Sequence, residues 1–278
     1  MTDVSIITPS YNMREYLIRC CRSVRDQGDV GVEHIVVDGG STDGSVEWLR
    51  SYHAGPLIVE PDRGMYDAIN KGLRIARGAV IGYLNCDEQY LPGTLGFVQD
   101  FFVHNAGVDL LFGDHLLVRP DGTLIAYRKA FRPVWWLILA TDLYVFSCAM
   151  FFRRRIPEAG IVFREDFRDI GDEEFVVRCL RSGYRARYVR RYLAVFTMTG
   201  ANMSCGSNPQ REKLRLLKEW GHLWLYRLHL PLWLLRALCK GLSGAYFQQF
   251  PLSYAIYVDA AVRQKFVCQR ACWRWRTR

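Results

Sequence analysis

Three acids stand where chemistry could use them. Asp38 closes the apolar run EHIVV at 33–37, Asp87 follows the run at 80–84 within NCDE (85–88), and Asp172 opens the helical pattern DEEFVVRCLRS at 172–182. Carboxylates usually lie scattered on solvated faces, so acids repeated beside apolar elements point to a shared task. Two of them beside a diphosphate or triphosphate ligand would suit a divalent cation, Mg or Mn, which takes hard oxygen ligands shared with phosphate. The third is then free to move a proton. The loop DGGSTDG (38–44) is neither GxGxxG nor a Walker loop, which excludes the usual dinucleotide and P-loop readings. Taken alone, Gly39, Gly40 and Gly44 also suit a tight strand-to-helix turn, with Ser41, Thr42 or Asp43 capping the next helix.

The elements that must position these acids are legible in the hydrophobic pattern. Residues 4–9 (VSIITP) form a continuous apolar run closed by Pro, as expected of a strand buried on both faces. Tyr16, Leu17, Cys20 and Val24 then recur at helical spacing over 13–27, before a second buried strand at 33–37. The pattern repeats as helix 46–52, strand 57–59, helix 65–76 and strand 80–84. Such alternation predicts an α/β fold with a mostly parallel sheet and helices on both faces. Ligands bind such sheets at the carboxyl ends of the strands, where TPSYN (8–12), DGGSTDG and NCDE all fall. Further along, a helix is expected to residue 103, a hairpin from 109–118 and 123–127 through the turn PDG, a helix at 172–182 and a strand near 187–189.

Composition bounds the rest. In a chain of 278 residues, 50% hydrophobic and 23% charged, there is enough apolar material for a large core, which excludes a small stapled scaffold and disorder. The net charge of +9 is concentrated in residues 220–278, which carry nine Lys and Arg against Asp259 alone, together with five of the eight tryptophans. That mixture suits an anionic membrane surface. Nine cysteines without a CxxC pair read as free thiols in a reducing compartment, and no basic n-region precedes the first apolar run. The chain is therefore expected in the cytoplasm. Residues 133–152 are long enough to span a bilayer, but Asp142 in mid-segment and equal basic flanks argue against it. Residues 223–238, interrupted by Arg227, His229, Pro231 and Arg236, read either as interfacial or as amphipathic helices packed on the domain.

VSIITPSYN at 4–12, HIVVDGGSTDGS at 34–45, EPDRGMYDAINKGLRIARG at 60–78, IGYLNCDE at 81–88 and FREDFRDIGDEEFVVRCLRSGYR at 163–185 resemble, in order and spacing, the inverting family two nucleotide-sugar glycosyltransferases. The branch is similar to colanic-acid and capsule-type transferases. The resemblance implies the nucleotide-binding GT-A fold over residues 1–205, with a nucleotide-sugar half at 1–95 and an acceptor half at 96–205, followed by a basic amphipathic helical tail at 206–278. It places Thr8, Pro9, Tyr11, Asn12 and Asp38 at the nucleoside, and Asp62, Arg63, Asp67 and Asn70 on the donor side, with Arg63 able to pair with phosphate. The metal-binding DxD-type motif falls on Asn85, Cys86, Asp87 and Glu88, with Asp87 as the ligand of Mn or Mg. The family's general base falls on Asp172, six residues before Arg178, with Glu173 as the alternative.

Transfer of one sugar to an oligosaccharide or lipid-linked acceptor in surface polysaccharide biosynthesis follows from the resemblance, at the inner face of the cell membrane and without nucleic acid. The oligomeric state stays open. Three departures matter: Gly39 replaces the second acid of a common DD pair, Ser147 stands where the branch often has His, and the QxxRW motif of processive synthases is absent. Two rival readings remain at this level. A sugar-nucleotide pyrophosphorylase would usually carry a Gly-rich basic loop near its start, where TPSYN stands instead. A basic module binding lipid or nucleic acid would leave the ordered acids unexplained.

Overall fold

All seven residues of Val4–Ser10 are buried, so this run becomes β1, an interior strand of the main sheet. The computed structural model describes residues 3–28, 30–200, 208–259 and 262–273. Cys205, Trp275 and the expected boundary at 205/206 lie outside the described residues.

The expected alternation is present in order. After β1 come α1 (Arg14–Arg25), β2 (Val32–Asp38), α2 (Ser45–Tyr52), β3 (Leu57–Val59), α3 (Met65–Ile75) and β4 (Val80–Tyr83). β1 pairs in parallel with β2 and β4, and β2 with β3. The order β3-β2-β1-β4 therefore reverses between β1 and β4, which opens a crevice at their carboxyl ends. α1 buries one stripe, Leu17, Cys20 and Val24, against the sheet, whereas α3 is buried on all sides from Tyr66 to Leu73.

The second half extends the same sheet. It contributes β5 (Glu88–Tyr90), α4 (Thr94–His104), β6 (Leu110–Val118), β7 (Leu124–Arg128), α5 (Trp135–Ala140), β8 (Met150–Arg153), α6 (Arg155–Glu158), α7 (Gly171–Arg181) and β9 (Ala186–Thr197). The expected hairpin is β6 and β7, turned by Asp121, whose Oδ1 accepts the Thr123 N–H at 2.9 Å. Sheet order continues β4-β8-β6-β9-β5; β6 and β9 are parallel, while β8 and β5 run antiparallel to their neighbours. The result is a single mixed α/β domain with a mostly parallel sheet. The strand expected near 187–189 is longer, because β9 finds partners on both sides, β6 and β5.

Residues 133–152 do not form one helix. They divide into α5, an irregular stretch through Asp142, a 3-10 turn at Ser147–Ala149 and the start of β8. No described helix is long and apolar enough to cross a membrane.

The tail departs from its expectation as a helical appendage. α8 (Asn208–Glu219), α9 (Trp224–Arg227) and α10 (His229–Leu242) are helical, but β10 (Leu252–Tyr257) and β11 (Arg263–Cys268) form an antiparallel hairpin. Tyr254 and Ile256 pack with Leu116, Tyr127 and Val195 of the main sheet, and Arg263 pairs with Asp26 at 2.5 Å and donates to the Tyr90 carbonyl at 3.0 Å. The alternation Leu252, Tyr254, Ile256 is the strand period, which the aromatic and basic composition of the region obscured. Cys20, Cys21, Cys86, Cys148, Cys179, Cys239 and Cys268 are free thiols.

Candidate active site

The three loops follow the adjacent parallel strands β1, β2 and β4, and the first two lock to one another through their own side chains. Asn12, in the left-handed region at φ 49°, accepts the Thr42 N–H on its Oδ1 at 2.8 Å and donates its own N–H to Ser41 Oγ at 2.8 Å. Asp38 is fully buried, and its carboxylate accepts the Gly40 N–H at 3.0 Å, the Ser41 N–H at 2.7 Å and the Ser41 hydroxyl at 2.8 Å. Asp38 thus organises the loop rather than projecting from it. Thr8 and Pro9 are buried in β1, where Thr8 Oγ1 faces His34 Nε2 at 3.0 Å. Tyr11, in contrast, is 62% exposed, a free aromatic face at the mouth of the crevice.

Gly39 explains the missing second acid. A Cβ on Gly39 would lie 2.6 Å from Asp62 Oδ2 and 3.3 Å from the Tyr11 ring. The carboxylate of Asp62 therefore occupies the space that a side chain at 39 would need, and its other oxygen accepts the Gly64 N–H at 2.9 Å. Asp67 accepts the Arg63 N–H at 3.0 Å and lies 3.6 Å from Lys71, which also reaches Glu60 at 3.0 Å. Asn70 exchanges hydrogen bonds with the backbone of Phe163 at 2.8 and 3.0 Å and reaches Glu165 at 3.1 Å. Asp67 and Asn70 accordingly brace the donor-side segment and tie it to the second half. Arg63 is largely exposed, with its guanidinium paired to Glu165 and Asp67.

In the turn between β4 and β5, Cys86 is buried with its thiol 3.7 Å from Met13 sulfur, consistent with a packing role. Glu88 accepts the Asn85 N–H at 2.8 Å and is buried. Burial, then the charge of Asp87 and, more weakly, that of Asp172, push the Glu88 carboxyl well up. Asp87 and Asp172 thus act on one buried group although 85 positions of chain separate them. Asp87 itself is half-exposed in the turn, so its carboxylate is open to a ligand from the crevice.

α7 sorts its three acids. Glu173 is committed to Lys213 of α8 and accepts the Leu143 N–H at 3.1 Å, while Glu174 pairs with Arg178 at 3.0 Å. Asp172 alone faces Tyr66 of α3: the Tyr66 hydroxyl lies 3.4 Å from its Oδ1 and accepts its N–H at 3.0 Å. Loss of surrounding water pushes the Asp172 carboxyl up to about 7, with the neighbouring Glu173 charge adding to the effect. The loop entering α7 is held from the tail, where Glu212 of α8 accepts the N–H groups of Arg168, Asp169 and Ile170 at 2.7, 2.9 and 3.1 Å. Tyr66, Lys213 and Glu212 were not singled out from sequence; Tyr66 lies in the quoted 60–78 motif, whereas the α8 residues carry no local signal.

Gly171 permits this arrangement. A Cβ there would come within 2.5 Å of the Tyr66 ring, which is buried and stacked on Phe163. Gly171→Ala is expected to lower stability by about 1–3 kcal/mol and to reduce turnover more than donor affinity, as thermal unfolding and steady-state kinetics would show. An unchanged unfolding curve and unchanged kinetics would contradict the packing described.

Two features lie apart from the acids. Cys21, His34 and His53 bring possible ligand atoms within 4.8 Å of one another, a grouping that chain spacing did not reveal, near the amino end of β2. A cavity of about 920 Å³ lined by Arg132, Trp135, Tyr184 and Tyr188 opens near the amino end of β9 and holds none of the acids.

Comparison with known proteins bears on the family and the fold. The family description "Glycosyl transferase family 2" matches residues 5–171. A PGL/p-HBAD biosynthesis glycosyltransferase of Mycobacterium bovis is 29% identical over 202 residues, covering 69% of this chain and 73% of the relative. Among solved structures, S. aureus TarS 1-349 in complex with UDP-GlcNAc superposes with a TM-score of 0.62 at 21% identity, covering 77% of this chain and 65% of that one, just under two thirds of its length. The mannosyltransferase PcManGT of Pyrobaculum calidifontis, in complex with GDP-Man and Mn2+, gives a TM-score of 0.56 at 20% identity, covering 89% and 76%. At these identities the structures speak to the fold, which is that of the GT-A glycosyltransferases.

Proposed function

The chain belongs to glycosyl transferase family 2, whose enzymes are inverting glycosyltransferases, and from that premise we propose that it moves a single sugar from a nucleotide-sugar donor to a lipid-linked saccharide acceptor at the inner face of the cell membrane. Asp172 is the general base, and Asp87 holds a divalent cation, Mn or Mg. The observation that carries this reading is Asp172 itself: the one acid of α7 not committed to a basic partner, fixed by Tyr66, with its carboxyl pushed up to about 7.

The chemistry follows from that placement. Inverting transfer needs one carboxylate to accept the acceptor hydroxyl proton while that oxygen attacks the anomeric carbon on the face opposite the leaving diphosphate. Asp172 takes the proton, and Tyr66, whose phenol is kept protonated by burial and by the Asp172 charge, holds the carboxylate oriented. A divalent cation at Asp87 would offset the charge developing on the departing diphosphate. Tyr11 offers its exposed ring to the nucleobase, and Asp62, beside Gly39, supplies the second carboxylate of the nucleoside loop. The neighbours' donors, UDP-GlcNAc and GDP-Man, make both nucleotides candidates.

Calorimetric titration of UDP, GDP and dTDP sugars with and without Mn or Mg tests the reading. One nucleotide class is expected to bind in a metal-dependent manner. Failure of every donor to bind with either metal would overturn the proposal.

A further inference from the structure

α10 carries its polarity in reverse. On an ordinary surface helix the charged residues face water and the leucines face the core. Here Leu230, Leu234, Leu238 and Leu242 are 67%, 56%, 58% and 81% exposed, while the side chain of Arg236 is only 18% exposed and Lys240, one turn on, is also partly buried. Arg236 and Lys240 are four apart and so share the inward face.

A third cation, Arg128, is tied to the same stretch of chain as Arg236, which pairs with Asp142 four residues before Phe146. Arg128, the last residue of β7, lies over the Phe146 ring at 5.2 Å. His115, its partner across the β6–β7 ladder, packs on the same ring at 4.0 Å, with its buried Nδ1 lacking a hydrogen-bond partner. The three cations sense one another: burial, then Arg128 and Arg236, bring the Lys240 ammonium down to about 8, and burial followed by Arg236 lowers Arg128. Few acids oppose them. Asp142 reaches Arg236 at 3.3 Å with its own side chain 71% exposed. Asp114 accepts from Tyr188 at 2.7 Å and from the Ala130 N–H at 3.1 Å, and burial pushes its carboxyl up to about 7. Among the described residues neither Arg128 nor Lys240 forms an ion pair; their charges meet only aromatic faces, Phe146 for Arg128, and Tyr246 at 5.5 Å and Trp273 at 6.0 Å for Lys240. Partly buried cations without counterions are costly, and an anion from outside removes that cost.

We infer that Arg128, Arg236 and Lys240 form an acceptor-side subsite for the phosphate or diphosphate group of a lipid carrier. The inference rests on the transferase reading above and names the chemical class of its acceptor. Two observations favour a lipid over a soluble phosphate. The helix that supplies two of the cations presents leucines outward, together with Trp233 at 42% exposure, and the adjoining α9 region exposes Trp224 and Tyr226. Apolar and aromatic side chains bordered by cations are the composition of a helix lying in a membrane interface. The cations also belong to the neighbourhood of the proposed base, because Phe146 lies on the stretch 142–147 whose Leu143 N–H is held by Glu173, the residue next to Asp172. The donor loops follow β1, β2 and β4, whereas Arg128 ends β7 beyond β6 in the sheet order, so the donor's own diphosphate is a poor occupant.

The test is full-length protein titrated with phosphatidylcholine vesicles containing either a polyprenyl phosphate or the neutral polyprenol. Wild type is expected to prefer the phosphate vesicles by about tenfold or more. Arg128→Gln with Lys240→Gln should abolish that preference, Arg128→Lys with Lys240→Arg should retain most of it, and Arg74→Gln, an exposed cation elsewhere, should leave it intact. Equal binding of wild type to both vesicles, or an unaltered preference in the double glutamine variant, would overturn the inference, as would inorganic diphosphate binding as tightly as the vesicles do. Donor titration of the same wild-type sample separates the two readings: absent donor binding sinks the transferase proposal, whereas a lost vesicle preference with donor binding intact sinks only the subsite.

Discussion

Asp172→Asn lowers the rate of sugar transfer by about a thousandfold while leaving nucleotide-sugar affinity within about twofold of wild type. The amide keeps the size of the side chain and its contacts with Tyr66 but has no basic oxygen for the acceptor proton. Donor contacts come from other loops, so the loss falls on kcat rather than on binding. The same substitution has an opposite effect on stability. A carboxyl whose folded pKa is about 7, against about 4 unfolded, binds its proton more tightly in the folded state. Its stability contribution is therefore fully present below about 4 and is lost as pH rises through about 7. Asparagine carries no such penalty, so Asp172→Asn should unfold at a temperature at least about 3 °C higher than wild type at alkaline pH. Glu173→Gln is expected to behave differently: it breaks the contact with Lys213 and destabilises α7 without the same selective loss of kcat.

Asp87→Ala removes metal dependence together with turnover. The expected loss is about a hundredfold or more in kcat at saturating donor, and donor affinity ceases to respond to added Mn or Mg. Asp87 stands in the turn before β5, its carbonyl accepting the Thr197 N–H at 3.3 Å, so the backbone of the turn is held independently of the carboxylate. Alanine should leave the turn in place. A variant that still turns over with full metal response would show that another oxygen donor holds the cation.

The first half of the fold was legible because each of its strands is a short apolar run and each run ends in a polar loop. β3 at Leu57–Val59 and the hairpin of β6 and β7 stand where pattern and turn chemistry put them. The second half was less legible for two physical reasons. β9 is long because of partners on both sides, which are properties of topology rather than of its sequence. The tail was read by composition, and tryptophan and arginine do not distinguish a helix from the hairpin of β10 and β11. At the site, Asp38, Asp87 and Asp172 could be located because they sit at element ends. Their division of labour was hidden. Asp38 is consumed by its loop, Asp62 fills the space beside Gly39, and Glu173 is claimed by a lysine forty positions away, all of which depend on contacts between distant segments.

The most direct measurement is the pH dependence of kcat/KM for sugar transfer by wild type and by Asp172→Asn. A base that must be deprotonated gives an activity that rises with pH and levels off above its pKa. Wild type should therefore show an acidic limb with a midpoint near 7, where the Asp172 carboxyl titrates, and the residual activity of Asp172→Asn should lack that limb. An identical limb in both proteins, or undiminished activity in the variant, would contradict the assignment of Asp172 as the general base.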